Sequence, residues 1–373
     1  MARQRAGQLP GQARESRAGW LFVSPAVALI ALFVVIPILM ALWVSLSDWT
    51  GQGSPFAVGV HFIGLDNYAK LLTRGGLTES DFGISLRNNF WYVLIVVPLQ
   101  TALALGLALI VNGRLLKGKS FFRTAYYFPS VTSSVAIVTV FIFIFSSGGV
   151  VNALLGKVGV NGPAWFGDAR GIGHLLLGGL GIVDRSNPPS ALLDHGLLGI
   201  TWWDWVSGPS VALTSVVFLV IWTTAGTFML IFLAALQDVP GDLEEAAAID
   251  GAKRWATFRY VTIPHLRPTL LLVLTLGLIG TWQVFDQVYL LGQGAPAKTT
   301  LTPALLSYQS SFRDESWGVG AAISFILFVI ILALASLQRW VLRDRDAAAE
   351  KKAARRARRR PSPGASVFAG RPS

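Results

Sequence analysis

Long apolar runs alternate with shorter polar segments along the whole chain. Six of these runs come close to or exceed the roughly 20 residues that a helix needs to cross about 30 Å of hydrocarbon. They lie at about residues 20–46, 90–111, 125–145, 211–236, 270–291 and 319–337. The pattern predicts an all-α integral membrane protein with six transmembrane helices.

The ends of the chain differ in character from the region between them. Residues 1–19 are polar, residues 20–341 hold the six predicted helices, and residues 342–373 form a basic tail. The first apolar run is longer than the roughly 7–15 apolar residues of a signal-peptide core. It is therefore expected to remain as the first span.

Composition agrees with a membrane protein and offers no catalytic centre. Hydrophobic residues make up 53% of the chain and charged residues 14%, and there is no cysteine. Disulfides and thiolate metal sites are thereby excluded. The four histidines are scattered, and no nucleophile motif or His/Glu metal spacing is present. We expect no cofactor on this chain and no enzymatic activity of its own.

Basic residues indicate the orientation in the membrane. Of the 31 Lys and Arg residues, 23 lie in the N-terminal segment, in residues 112–124, in residues 239–267 and in the C-terminal part of the chain from Arg339 onward. The positive-inside rule then places both termini and segment 239–267 in the cytoplasm. This distribution accounts for the net charge of +11 without a nucleic-acid partner. The like-charged tail is predicted to be disordered and to lie on anionic lipid.

The polar segment between the fourth and fifth runs predicts two short helices separated by a glycine. Leu243, Ala246, Ala247 and Asp250 recur at helical spacing and share one face, built mostly of small side chains. Gly251 can end the first helix. A helix of this kind packs on its own bundle or docks on another protein, and its local pattern leaves both open.

The full residue order of this segment resembles the coupling-helix motif of membrane subunits of ATP-binding-cassette importers. The motif is E-A-A-x-x-D-G-A, then F, then [IVL]-x-[IL]-P-x-x-x-P, and it is met by Glu245, Ala246, Ala247, Asp250, Gly251, Ala252, Phe258, Val261, Ile263, Pro264 and Pro268. The resemblance implies a type I importer permease whose segment 239–267, called here the coupling loop, docks on a separate ATPase dimer. ATP and Mg would bind to that dimer. The coupling residues implied are Glu245, Ala246, Ala247, Asp250, Gly251 and Pro264.

A second resemblance concerns the subtype. Residues 285–291, F-D-Q-V-Y-L-L, with Gly294, Pro296 and Thr299, are similar to a block in the first membrane subunit of maltose-type and glycerol-phosphate-type importers. This implies import of a sugar or related polyol across a bacterial cytoplasmic membrane. It also implies a second homologous permease and an extracytoplasmic solute-binding protein. Residues 292–295, G-Q-G-A, depart from the usual T-x-G-G, and a phosphorylated solute is not excluded.

Polar side chains inside the fourth and fifth runs are the candidate solute path. Aromatic faces and hydrogen-bonding groups suit a sugar. Hydroxyls in membrane helices also bond to their own carbonyls, so each threonine has a structural alternative. A carboxylate in a span normally faces protein or a water-filled cavity. The candidates are Trp222, Thr224, Thr227, Thr281, Gln283 and Asp286.

Residues 113–120 match the phosphate-loop pattern G-x-x-x-x-G-K-S. That motif needs a preceding buried strand and a nucleotide-binding domain. A predicted membrane helix precedes it here, so a short basic turn without nucleotide chemistry is expected.

The outer insertion at about 168–209 is longer than the resemblance implies. It could contact a solute-binding protein or be a tolerated surface insertion.

Other classes remain as alternatives at this point. An ion-coupled secondary carrier would show internal repeats and helices broken mid-membrane around an ion site. A membrane enzyme or a scaffold without transport is the alternative from outside transport. Co-purification of an ATPase would separate an importer from all of them.

Overall fold

The computed structural model describes residues 12–113, 116–181 and 189–342. In this part of the chain the regular structure is helical apart from one small hairpin. The helices of the first half are α1 Gln12–Ile30, α2 Ile36–Ser45, α3 Asp66–Leu72, α4 Leu77–Asn112, α5 Lys119–Val131, α6 Ser134–Ile144, α7 Val150–Lys157, α8 Ile172–Gly179, α9 Ser190–Leu193 and α10 Trp202–Val206. Those of the second half are α11 Val211–Gln237, α12 Gly241–Ile249, α13 Arg254–Thr257, α14 Ile263–His265, α15 Arg267–Trp282, α16 Asp286–Gly292, α17 Pro303–Phe312 and α18 Trp317–Val341.

Among the described residues, five helical stretches are long and apolar enough to cross a membrane. They are Gly19–Ser45, Leu77–Asn112, Val211–Gln237, Arg267–Gly292 and Trp317–Val341. The first joins α1 and α2 through a π-helical turn, and the fourth contains α15 and α16. The shortest has 25 residues, which at 1.5 Å per residue extends about 37 Å and exceeds the hydrocarbon thickness. Helices α5 and α6 pass the same test as a pair, so the stretches number six if that pair is one span.

The third predicted span, 125–145, is not the continuous helix that the apolar run indicated. Helices α5 and α6 meet at 99°, because Thr132 and Ser133 are extended, with ψ of 145° and 134°. Pro129 in the last turn of α5 also lacks the N–H that would continue the helix. Ser and Thr side chains compete for backbone hydrogen bonds, which favours a break at this place.

Two further boundaries differ from the prediction. Helix α4 begins at Leu77, well before residue 90, because its polar first half packs on other parts of the chain. The fifth predicted helix, 270–291, is interrupted after Trp282, and Phe285 leaves the helical region before α16 begins. The apolar run locates the span but does not reveal its internal break.

Helices α4 and α11 form the centre of the bundle. One apolar cluster, which includes Tyr92 and Leu213, extends from them to α16, α17 and α18. A second cluster, which includes Phe232 and Leu266, joins the other end of α4 and α11 to the start of α15. Helix α5 approaches α11 so closely that any side chain at Gly226 would overlap the Tyr126 backbone.

The predicted insertion, 168–209, packs on the first half of α4. It contains α8, α9, α10 and an antiparallel hairpin of β1 Gly196–Leu197 and β2 Ile200–Thr201; its residues 182–188 lie outside the description. The Trp91 indole N–H donates to the Trp205 carbonyl at 3.0 Å. The Arg87 guanidinium reaches the Asp204 carbonyl at 3.5 Å. These contacts explain why α4 carries polar residues before its apolar run begins.

Candidate functional site

The first helix of the coupling loop ends in a Schellman motif. The Ala252 N–H donates to the Ala247 carbonyl at 2.9 Å, and the Gly251 N–H donates to the Ala248 carbonyl at 3.1 Å. Gly251 has a φ of +77°, which glycine adopts without the steric cost of a Cβ. A Cβ at Gly251 would meet no atom within 4 Å, so its requirement is purely conformational.

The N-terminus of α12 carries two carboxylates. Asp242 and Glu244 lie in the first turn, where they complement the positive end of the helix dipole. Pro240 immediately precedes the helix as its N-cap. The local structure of α12 is thus determined by residues at its own two ends.

Helix α12 has no buried residue. Of the predicted coupling residues, Ala247 is half-buried, and those that are exposed are Glu245, Ala246, Asp250, Gly251 and Pro264. Large apolar side chains nearby are exposed as well, with Ile249 at 86%, Trp255 at 71% and Tyr260 at 77%. Packing on its own bundle therefore does not account for this helix. These exposed large apolar side chains make the loop a candidate interaction surface.

The base of the coupling loop is anchored, in contrast to α12. Leu266 is fully buried in the cluster that contains Phe232 of α11 and Ala104 of α4. Thr262 is also buried. Pro264 is the second residue of α14 and is exposed. The base of the loop therefore packs directly against the two central helices.

The phosphate-loop match has no nucleotide-binding surroundings in the described residues. The chain enters it from helix α4 instead of a strand, and Lys119 is the first residue of α5. Its ammonium donates to the Asn112 carbonyl at 3.3 Å. No group of three or more His, Cys, Asp or Glu side chains in residues 12–113, 116–181 and 189–342 is placed to hold a metal.

Two adjoining cavities lie between α11 and the broken helices. Cavity A, about 260 Å³, lies at the bend between α5 and α6. Cavity B, about 240 Å³, lies where α15 gives way to α16 and is bordered by α4. The two share Thr224, Phe228 and Gln287 as walls.

Five of the six candidate path residues line these cavities. Thr227 lines cavity A, Thr224 lines both, and cavity B is lined by Thr281, Gln283 and Asp286. Trp222 lines neither cavity; it is half-exposed, and its ring lies 5.5 Å from that of Phe141.

The hydrogen bonds at the cavities show which side chains are already bonded within the protein and which can bind a ligand. The Thr281 hydroxyl donates to the Gly277 carbonyl of its own helix at 2.7 Å. The Thr224 hydroxyl lies 2.7 Å from the Val220 carbonyl and 2.8 Å from Oε1 of Gln100. Within the part of the chain that the structure describes, the exposed Asp286 carboxylate has only a distant contact, 3.5 Å, with the Ser134 hydroxyl. Asp286 can therefore bind a ligand without breaking a strong internal bond.

Sequence reasoning did not identify the residues of other segments that line cavities A and B. These residues are Tyr92 and Gln100 of α4, Ser130, Thr132 and Ser134 at the bend, and Gln287 of α16. Gln100 is an amide inside an apolar run, and the triple Ser/Thr stretch at 132–134 is a break signal. Both were visible in the sequence, whereas their proximity to α11 was not.

Comparison with known proteins gives a consistent result. Residues 100–346 match the family model described as binding-protein-dependent transport system inner membrane component. The lactose transport system permease protein LacF of Rhizobium radiobacter is 32% identical over 330 residues, covering 88% of this chain and 94% of that protein. The trehalose/maltose transport system permease protein MalF of Thermococcus litoralis is 28% identical over 321 residues, covering 86% and 92%.

A solved structure shares the fold. It is the crystal structure of a bacterial ABC transporter involved in the import of the acidic polysaccharide alginate, with a TM-score of 0.65 and 18% identity. The match covers 89% of this chain and 98% of that chain. A second crystal structure, of a bacterial alginate ABC transporter in complex with alginate pentasaccharide-bound periplasmic protein, also has a TM-score of 0.65.

Proposed function

Because the chain belongs to the family of binding-protein-dependent transport system inner membrane components, we propose that it is a permease subunit of an ATP-driven importer for a sugar or related polyol. The membership and the shared fold confirm the predicted all-α importer-permease architecture and the prediction of a transport subunit. Relatives named for lactose and for trehalose/maltose support the solute class.

The observation that carries this proposal is an exposed α12 on an anchored base. A separate ATPase dimer, which binds ATP and Mg, can move the permease only by pushing on an element that fits its surface. The small side chains of Ala246 and Ala247 let a partner approach closely, and Gly251 allows the turn that follows. Glu245 and Asp250 are exposed and can make charge-assisted contacts with basic groups of the partner.

The solute route runs along cavities A and B. Thr224, Thr227, Gln283 and Asp286 present polar groups there, and the α5–α6 bend supplies further hydroxyls. Thr281 contributes to the wall while its hydroxyl is held by its own helix. Trp222 stays a prediction for the path, because it lies outside both cavities.

The remaining partners follow from the family and from the exposed surface. Only 6% of the most apolar 18-residue window of the first span is buried in the chain itself, so lipid and a second homologous permease have room to cover it. An extracytoplasmic solute-binding protein delivers the solute; the alginate transporter complexed with a periplasmic protein supports this role. The positive-inside distribution orients both termini toward the cytoplasm of a bacterium, in its cytoplasmic membrane.

Co-expression with the candidate ATPase, second permease and binding protein tests the proposal. We expect a stable complex whose ATPase activity rises when sugar-loaded binding protein is added. Ala247→Trp should abolish ATPase recruitment or uncouple hydrolysis from uptake, because the indole cannot enter a cleft shaped for alanine. Ala248→Trp, an equal size change on another face of α12, should have the smaller effect.

Two results would refute the proposal. One is that no ATPase co-purifies. The other is sugar uptake that follows an ion gradient and is indifferent to ATP, which would indicate a secondary carrier.

A further inference from the structure

Cavity B is lined by two fully buried polar side chains, each with one end atom that has no hydrogen-bond partner among the described residues. Tyr92 is 0% exposed and Gln100 is 1% exposed. Within the described residues, neither the Tyr92 hydroxyl nor Nε2 of Gln100 has a hydrogen-bond partner. Both belong to α4, which contributes these two residues to the cavity wall.

The two groups are arranged along one face of α4. Positions 92, 96 and 100 are successive steps of four residues, and Val96 between them is fully buried. At 1.5 Å per residue the two polar positions lie about 12 Å apart along the helix axis. They form a row that faces the interior of the bundle and not the lipid.

Neighbouring residues hold the Gln100 amide in place. One end, Oε1, lies 2.8 Å from the Thr224 hydroxyl. On the other side, a Cβ at Gly277 would lie only 2.5 Å from Nε2. Gly277 thus leaves the space that the free end of the amide occupies. A ligand hydroxyl can either donate or accept, so it suits a free amide end as well as a free phenol.

An unpartnered polar group in a membrane interior costs free energy, since lipid supplies no hydrogen bond. Water or a solute can satisfy these groups in the working transporter. Cavity B has about 240 Å³, roughly the volume of eight liquid waters. That is far more space than two hydrogen-bonding groups require for their own hydration.

The charged residues that line the cavities restrict which solutes can bind there. Among the described residues that line cavities A and B, Asp286 carries the one formal charge, and no Lys, Arg or His is present. An anionic group would meet this carboxylate without a compensating cation from this chain. Uncharged hydroxyls can instead donate to it.

We propose that Gln100 and Tyr92 are solute-contacting, specificity-determining residues that hydrogen-bond hydroxyl groups of an uncharged solute in cavity B. This inference rests on the proposed function, because it requires that the solute crosses the membrane through this chain. It assigns α4 a recognition surface in addition to the polar groups of α11, α15 and α16.

The test uses the complete importer in proteoliposomes, with uptake of labelled lactose and maltose as probes. Gln100→Leu and Tyr92→Phe should each raise the KM for uptake about 3- to 10-fold, as the loss of one hydrogen bond predicts. Gly277→Ala should raise KM similarly, because its methyl group displaces the amide. Thr101→Val is the matched control: its buried hydroxyl bonds to the Val97 carbonyl and lines neither cavity.

The possible results distinguish a failure of this inference from a failure of the proposed function. Variants with normal KM and raised thermal stability would mean that water alone occupies these groups, which overturns the inference while the proposed function stands. Preferential uptake of galacturonate or sugar phosphate over both neutral sugars would overturn the uncharged-solute assignment. A wild-type complex in which no sugar stimulates ATP hydrolysis or uptake would contradict the proposed function, and this inference with it.

Discussion

Replacing Gly251 by alanine isolates the conformational requirement at the end of α12. The position has a φ of +77° and no atom within 4 Å of a Cβ, so the substitution introduces backbone strain without a clash. A left-handed conformation costs an L-residue about 1–2 kcal/mol. That cost corresponds to a shift of roughly 5- to 30-fold in the population of the native turn.

This shift in the population of the native turn should be measurable, because α12 has little else to stabilise it. It is nine residues long and has no buried residue, and isolated helices shorter than about 12–15 residues are marginal. We therefore expect Gly251→Ala to weaken ATPase binding by about 5- to 30-fold. Gly251→Asn should lie between alanine and wild type, since asparagine tolerates this region better.

The assay is titration of the detergent-solubilised permease pair with labelled ATPase. Gly241→Ala is the matched control, because a Cβ there also meets nothing within 4 Å but the residue has no positive φ. It should bind ATPase as wild type does. Equal affinities for the Gly251→Ala and Gly241→Ala complexes would refute the reasoning that the turn orients the docking helix.

Three further outcomes are expected. Lys119→Ala should leave uptake within a few-fold of wild type. Loss of nucleotide binding by the isolated subunit would contradict the interpretation of residues 113–120 as a basic turn without nucleotide chemistry. Asp250→Cys, in a chain without native cysteine, should react with membrane-impermeant maleimide only in inverted vesicles; labelling from outside intact cells would contradict the topology. Gly226→Ala should lower the thermal stability of the complex by about 1–3 kcal/mol through overlap with the Tyr126 backbone. Gly280→Ala, which meets no atom within 4 Å, should be nearly neutral, and equal losses in both would argue against the close approach of α5 and α11.

Hydropathy alone located every apolar stretch but not the shape of the helices within them. The 99° bend between α5 and α6 depends on two residues, Thr132 and Ser133, inside a run whose average hydrophobicity is high. Hydropathy also missed the first half of α4, in this case because the segment is polar although it is helical. Its polar residues, such as Arg87 and Asn88, are buried against other segments of the protein, and a hydropathy window reads them as loop.

Some residues of the candidate site could likewise be predicted from the sequence, whereas others could not. Thr224 and Asp286 could be predicted because charged or polar residues are unusual inside a span. Gln100 and Tyr92 become candidates only when α4 is placed beside α11 and α15, a tertiary arrangement that local pattern does not encode. The structure of α12 was predictable almost completely, since its ends are defined by acidic residues and Gly251 in its own sequence.

The hydrogen bond between Gln100 and Thr224 has a consequence for biosynthesis. Its partners are 124 residues apart, which at about 5–20 residues per second means a delay of about 6 to 25 s between their synthesis. During that interval α4 is already made while its partner on α11 is not. A newly inserted α4 must keep its buried amide near water or near the insertion machinery until α11 arrives. Slowing translation between residues 112 and 211 would lengthen the period in which this helix is exposed to membrane quality control.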